Sequence, residues 1–165
     1  MDPSPATQLK QQFGDRITPV EPPTLPETVV VSAPAIADVC RFCRDNPTLD
    51  FQALSCLSGV DRKDRIELVY HLLSYRRKHE LVLKVSLDRE RPEIDTVESV
   101  WRTAEWHERE CYDLLGVVFR GHPDLRRLLL PEDWVGYPLR KDYQDERLVP
   151  YTPFGEGPKE GAKHG

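Results

Sequence analysis

The run from Glu108 to Tyr143, ERECYDLLGVVFRGHPDLRRLLLPEDWVGYPLRKDY, constrains this chain most, because glycine or proline recurs at Gly116, Gly121, Pro123, Pro131, Gly136 and Pro138. Proline lacks an N–H and fixes φ, and glycine enters positive φ at little cost, so no long element crosses the run. It divides into three pieces. Residues 106–115 read as a helix with Cys111, Leu114 and Leu115 on its apolar face and Glu108, Arg109 and Asp113 mostly off it. Gly116 ends that helix, and Gly121 frees a turn into His122-Pro123-Asp124. Leu125, Leu128 and Leu129 recur at i, i+3, i+4, which predicts a second short helix stopping at Pro131 and turning Arg126 and Arg127 away from its apolar side. From Pro131 to Tyr143 the chain is irregular, and an irregular segment carrying Trp134 and Arg140 has an interface composition.

Upstream, the residues before 28 are rich in proline and read as an extended arm, with a short helix over Ala6 to Phe13. The fold is expected to begin with a strand at Thr28 to Val31. Pro34 then opens a helix with Ile36, Val39, Cys40 and Cys43 on one face. Residues 51–60 are apolar but ambiguous. Glu67 to Tyr75 and Leu81 to Leu87 read as two strands of a hairpin, and Val97, Val100, Trp101 and Ala104 resume helical spacing. This order predicts an α+β fold, with helices packed on one face of a mainly antiparallel sheet, an extended N-terminal arm and an irregular C-terminal docking tail. The expected divisions are an arm over 1–27, a core over 28–105, a docking segment over 106–143 and a flexible, Gly-rich tail over 144–165. A chain of 165 residues, 39% of them hydrophobic, suffices for one cored domain.

The chemistry narrows by exclusion. A net charge of -5 argues against a nucleic-acid partner, whose phosphates require clustered Lys and Arg. No apolar run approaches the roughly 20 residues that span a bilayer, and the first residues lack the pattern of a signal peptide. The four cysteines fit a reducing compartment. Cys40 and Cys43 have the spacing of half a zinc site or a redox pair, but no second pair follows, so they read as packing thiols. His107-Glu108 lacks the second histidine of a zinc-peptidase helix, because Cys111 stands there. Glu108, Glu110 and Asp113 have the chemistry of an acid/base pair or a cation site, yet pairing with arginines accounts for them more simply. His122, before Pro123, is expected to tie its own loop together. For Arg126, Arg127, Arg140 and Lys141 two readings stand level: guanidinium forks for a partner's carboxylates, or a solvated face. The absence of any Walker or dinucleotide loop implies that no nucleotide cofactor is bound here.

Glu108-Arg109-Glu110, Asp113, Gly116, Phe119, the stretch Gly121 to Arg127, Leu129 to Trp134, Gly136 and Pro138 to Tyr143 together resemble the signature of the 30-kDa, or C, subunit of NADH:quinone oxidoreductase, respiratory complex I. Gln144 departs from the pattern, where many members carry proline. The resemblance implies a cofactor-free structural subunit in the hydrophilic arm of an enzyme that passes electrons from NADH through FMN and iron–sulfur centres of partner subunits to quinone, coupled to proton translocation. It implies a peripheral position on the cytoplasmic face of the cell inner membrane, chiefly against the quinone-site D subunit, with the B and I subunits as further neighbours. The interface it implies comprises Glu108, Arg109, Glu110, Asp113, His122, Arg126, Arg127, Glu132, Asp133, Trp134, Arg140, Lys141, Asp142 and Tyr143. Arg127→Glu or Arg140→Glu should then weaken assembly without altering the free subunit's fold. The alternatives are the equivalent subunit of a membrane-bound hydrogenase, a formate hydrogenlyase or a ferredoxin-fed photosynthetic complex, and, in a different class, an independent enzyme using Glu108, Glu110 and His122.

Overall fold

The computed structural model describes residues 3–145. In chain order the elements are α1 (Pro5–Phe13), β1 (Ile17–Pro19), β2 (Glu27–Val31), α2 (Ile36–Asp45), β3 (Ala53–Asp61), β4 (Arg65–Ser74), β5 (His79–Asp88), β6 (Glu93–Asp95), α3 (Ala104–Leu115) and β7 (Val118–Arg120). Alternation in the central hairpin sets the architecture. Ile66, Leu68, Tyr70 and Leu72 of β4 and Leu81, Leu83, Val85 and Leu87 of β5 are all buried, and the register pairs Leu68 with Val85 and Tyr70 with Leu83. The opposite face shows Ser58, His71 and Ser86 to solvent. The five-stranded sheet runs β1-β2-β5-β4-β3, and β2–β5 is its one parallel pairing. Helices cover one face of a mainly antiparallel sheet, as the sequence predicts. Ile36, Val39, Cys40 and Cys43 of α2 are all fully buried.

The short helix expected over Ala6 to Phe13 forms, and the N-terminal stretch packs against the sheet. Ser4 caps α1 by accepting from the Thr7 N–H, Pro5 occupies the first turn, and Leu9 and Ile17 are fully buried. Strand β1 adds to the sheet edge with Ile17 opposite Val31. An edge strand tolerates Pro19 because its outer side needs no donor, so the prolines of 19–26 end a strand and shape the connection to β2. The ambiguous residues 51–60 become β3, whose register shifts between Leu54 and Cys56. From 146 on, the Gly-rich tail expected over 144–165 lies outside the described residues.

Helix α3 sits on β3 at Gly59, where an added Cβ would come within 2.4 Å of Leu115 Cδ1 and 3.6 Å of Cys111 Sγ. A larger residue there must displace the Leu115 side chain from its seat on the strand. Gly59→Val should lower stability by about 1–3 kcal/mol through overpacking, read by urea unfolding; an unchanged midpoint would show that α3 is not seated on this strand.

Candidate functional site

The polar residues of α3 that the helical wheel places outside are inside. Asp113 is fully buried, and its Oδ2 accepts the N–H groups of Leu128, Leu129 and Leu130 at 3.0, 2.7 and 2.9 Å. Its Oδ1 takes Arg127 Nη1 at 3.1 Å. Three successive N–H groups aimed at one carboxylate cannot point back at carbonyls four residues earlier, so the short helix predicted over 125–130 does not form. Burial pushes the Asp113 carboxyl up, but the three N–H donors and Arg127 outweigh it and hold the group below the ordinary carboxylate range. Arg127 continues to the Trp134 carbonyl at 2.9 Å. Arg109, also buried, donates to the carbonyls of Arg126 and Arg127 at 3.2 and 3.3 Å, and its guanidinium lies 5.0 Å from the Trp106 ring.

Glu108 is likewise interior. Its carboxyl is fully buried and accepts from the Val97 N–H at 2.8 Å and from the Thr96 hydroxyl. Burial pushes it up to about 7, against the pull of those two donors. His122 does tie its loop, taking the Asp124 N–H on Nδ1 at 3.0 Å and contacting the Glu105 carbonyl through Nε2 at 3.2 Å.

A strap, residues 137–143, then crosses the end of α3. The Leu139 N–H donates to the Leu114 carbonyl and Arg140 Nε to the Leu115 carbonyl, at 3.1 and 2.9 Å, which satisfies two orphan acceptors of the helix terminus. Gly116, at φ +79, leaves room for the Tyr137 ring, which an added Cβ would approach within 2.6 Å. Arg140 lies 5.0 Å from that ring. Further along, Asp61 accepts Arg89 twice, at 2.9 and 2.8 Å, and the Lys141 N–H at 2.9 Å, while Arg89 also holds Asp142 at 3.1 and 2.6 Å.

Arg89, then the backbone donors of Lys141 and Lys63, hold Asp61 far below the ordinary carboxylate range despite its burial. A depressed folded pKa contributes stability above the unfolded value of about 4 and loses it as pH falls further. Arg89→Ala should therefore be less stable at pH 7 and flatten the loss below about pH 4, followed by circular dichroism. Parallel acid curves for the two proteins would contradict this.

The structure thus divides the expected interface. Glu108, Arg109 and Asp113 are interior; His122, Arg127, Trp134, Arg140 and Tyr143 are partly covered; Glu110, Arg126, Glu132, Asp133, Lys141 and Asp142 are exposed. Sequence reasoning missed the apolar residues left outside: Trp106 at 56%, Leu129 at 62%, Val135 at 81% and Leu139 at 54% exposed. They follow α3, because Arg109 adjoins Trp106, Asp113 holds the Leu129 N–H and Leu114 holds that of Leu139. For Leu129, Val135 and Leu139 the available signal was a set of large apolar side chains in a segment too irregular to bury them.

Among the described residues, no group of three or more His, Cys, Asp or Glu is arranged to hold a metal ion. Cys40, Cys43 and Cys111 are buried free thiols whose pKa values burial pushes up, which suits packing rather than nucleophilic chemistry. Fold and site together define an α+β body that pins one irregular segment with buried ions and leaves apolar side chains outward.

Residues 29–148 match the family described as Respiratory-chain NADH dehydrogenase, 30 Kd subunit, and the chain belongs to that family. It is therefore a complex I-type subunit, part of a multi-subunit oxidoreductase. It is 43% identical to the C subunit of NADH-quinone oxidoreductase from Chloroherpeton thalassium over 87% of this chain and 63% of that protein. It is also 43% identical to the subunit of the same name from Chlorobium phaeobacteroides, over 87% of this chain and 92% of the other. Among solved structures it superimposes on a trypsin-resistant fragment of Nqo5 with TM-score 0.61 and 25% identity, covering 72% of this chain and 97% of the fragment. A chain of the membrane-bound sulfane sulfur reductase, an archaeal respiratory membrane complex, gives TM-score 0.71 and 25% identity, covering 84% and 82%. No helix among the described residues is long and apolar enough to cross a membrane.

Proposed function

We propose that this chain is a cofactor-free structural subunit in the hydrophilic arm of NADH:quinone oxidoreductase, docked chiefly against the quinone-site D subunit, with the B and I subunits as further neighbours. It sits peripherally on the cytoplasmic face of the cell inner membrane, held there through the complex. The observation that carries this reading is the braced segment itself: Asp113 and the Asp61–Arg89–Asp142 cluster fix its backbone while Trp106, Leu129, Val135 and Leu139 stay exposed. A rigid segment loses little conformational freedom on binding, and outward aromatic and aliphatic anchors supply the apolar area that association requires.

The chemistry belongs to the partners. FMN and iron–sulfur centres in neighbouring subunits carry electrons from NADH to quinone, coupled to proton translocation, and transfer between buried centres requires constant geometry. This chain supplies that constancy by holding its neighbours in register. Purification of the tagged chain from solubilised membranes should bring with it flavin, iron–sulfur subunits and NADH oxidation. Nickel without flavin would assign the chain to a hydrogenase-type assembly. Turnover by the isolated chain, abolished in Glu110→Gln, would make it an independent enzyme.

A further inference from the structure

Glu108 and His122 lie at the root of the docking segment with both side chains fully buried and 3.9 Å between Oε2 and Nε2. We propose that they form a proton-dependent switch, in which ionisation of Glu108 draws the His122 Nε2–H from the Glu105 carbonyl to the Glu108 carboxylate and shifts the 121–124 turn against α3.

The hydrogen bonds fix the starting state. The Asp124 N–H can only donate, so His122 Nδ1 accepts it, and Nε2 is the nitrogen that presents a proton to the Glu105 carbonyl at 3.2 Å. Glu108 has two neutral donors, the Val97 N–H and the Thr96 hydroxyl, and among the described residues no lysine or arginine pairs with it. A buried anion so placed lacks a compensating charge, and its strongest available response is to take a further donor. His122 carries the donor within reach. When the carboxyl proton leaves to solvent, the carboxylate is a better acceptor for Nε2–H than the peptide carbonyl, and the ring moves toward it. Asp124 is attached to the other ring nitrogen, so the turn that begins the docking segment moves as well.

The other ionisable groups around Glu108 leave it to titrate near neutrality. Cys40 of α2, Tyr70 of β4 and Cys111 of α3 are pushed up by burial and keep their protons. Glu98, in the turn before α3, adds a repulsive charge that favours the neutral Glu108 and is itself paired with Arg102 at 3.4 Å. The Glu108 carboxyl is raised by burial from 4.5 to about 7, so its contribution to stability is complete below the unfolded value and lost as pH rises through the folded one.

The test uses the full chain, with carboxyl carbon and imidazole nitrogen resonances followed by NMR from pH 5 to 9. The Glu108 carboxyl should titrate within about a unit of neutrality, and the His122 Nε2 resonance should shift with the same midpoint. Glu108→Gln should remove that shift of the ring. Thr96→Val, which deletes one donor to the anion and keeps the residue's shape, should move the midpoint upward. A Glu108 midpoint below pH 5, or an unchanged His122 profile in Glu108→Gln, overturns the switch, as does an unmoved midpoint in Thr96→Val. The readout is internal to the chain, so its failure leaves the docking assignment standing.

Discussion

Asp113→Asn should release residues 127–130 from α3 and lower the stability of the chain by about 3–5 kcal/mol, the range for removing one partner of a buried charge pair. The carboxylate is fully buried and satisfies three N–H groups and one guanidinium at once. An amide keeps one oxygen for the three N–H groups but turns its NH2 toward Arg127, so the guanidinium faces a donor and the nest loses the charge that compensates it. The native pairing is ionic at neutral pH because the carboxyl is held below its ordinary range. Urea unfolding should record the loss, and amide exchange at Leu128, Leu129 and Leu130 should pass from protected to fast. A loss below about 1 kcal/mol would mean that the nest is incidental to the fold.

The second large effect is on association. Leu129→Gln with Leu139→Gln changes two side chains that are 62% and 54% exposed, so the free chain should lose no more than about 0.5 kcal/mol. If these side chains anchor a neighbouring subunit, the pair should weaken assembly by about 2 kcal/mol or more, roughly 30-fold, as truncated interface anchors do. Arg127→Glu is a poorer probe than its sequence suggested. Arg127 is bound to Asp113 and to the Trp134 carbonyl, so charge reversal disturbs the segment's own fold before any partner is met. Arg140, on the Leu115 carbonyl, shares that difficulty.

Local pattern and long-range accounting explain what the sequence disclosed. The four apolar residues of α2, the β4–β5 hairpin and the exit of α3 at Gly116 follow from periodicity and a glycine at positive φ, signals contained within one element. The burial of Glu108, Arg109 and Asp113 was not visible in this way. A helical wheel places charge outward, and what reverses it is a set of partners 11 to 18 residues away in sequence. The Leu125, Leu128, Leu129 spacing is a genuine helical period, overruled because one carboxylate offers three N–H groups a stronger acceptor than a short helix could. Strands β1, β6 and β7, of three residues each, are too short for alternation to register. The resemblance marked residues 108–143 as one stretch and did not separate buried braces such as Asp113 from exposed residues such as Glu132.

NADH:quinone reductase activity in membranes from cells whose only copy of this chain carries Leu129→Gln and Leu139→Gln tests the docking assignment most directly. The expected result is loss of assembled reductase activity, with the purified variant retaining the wild-type unfolding midpoint. Wild-type activity with the variant fully incorporated would contradict it.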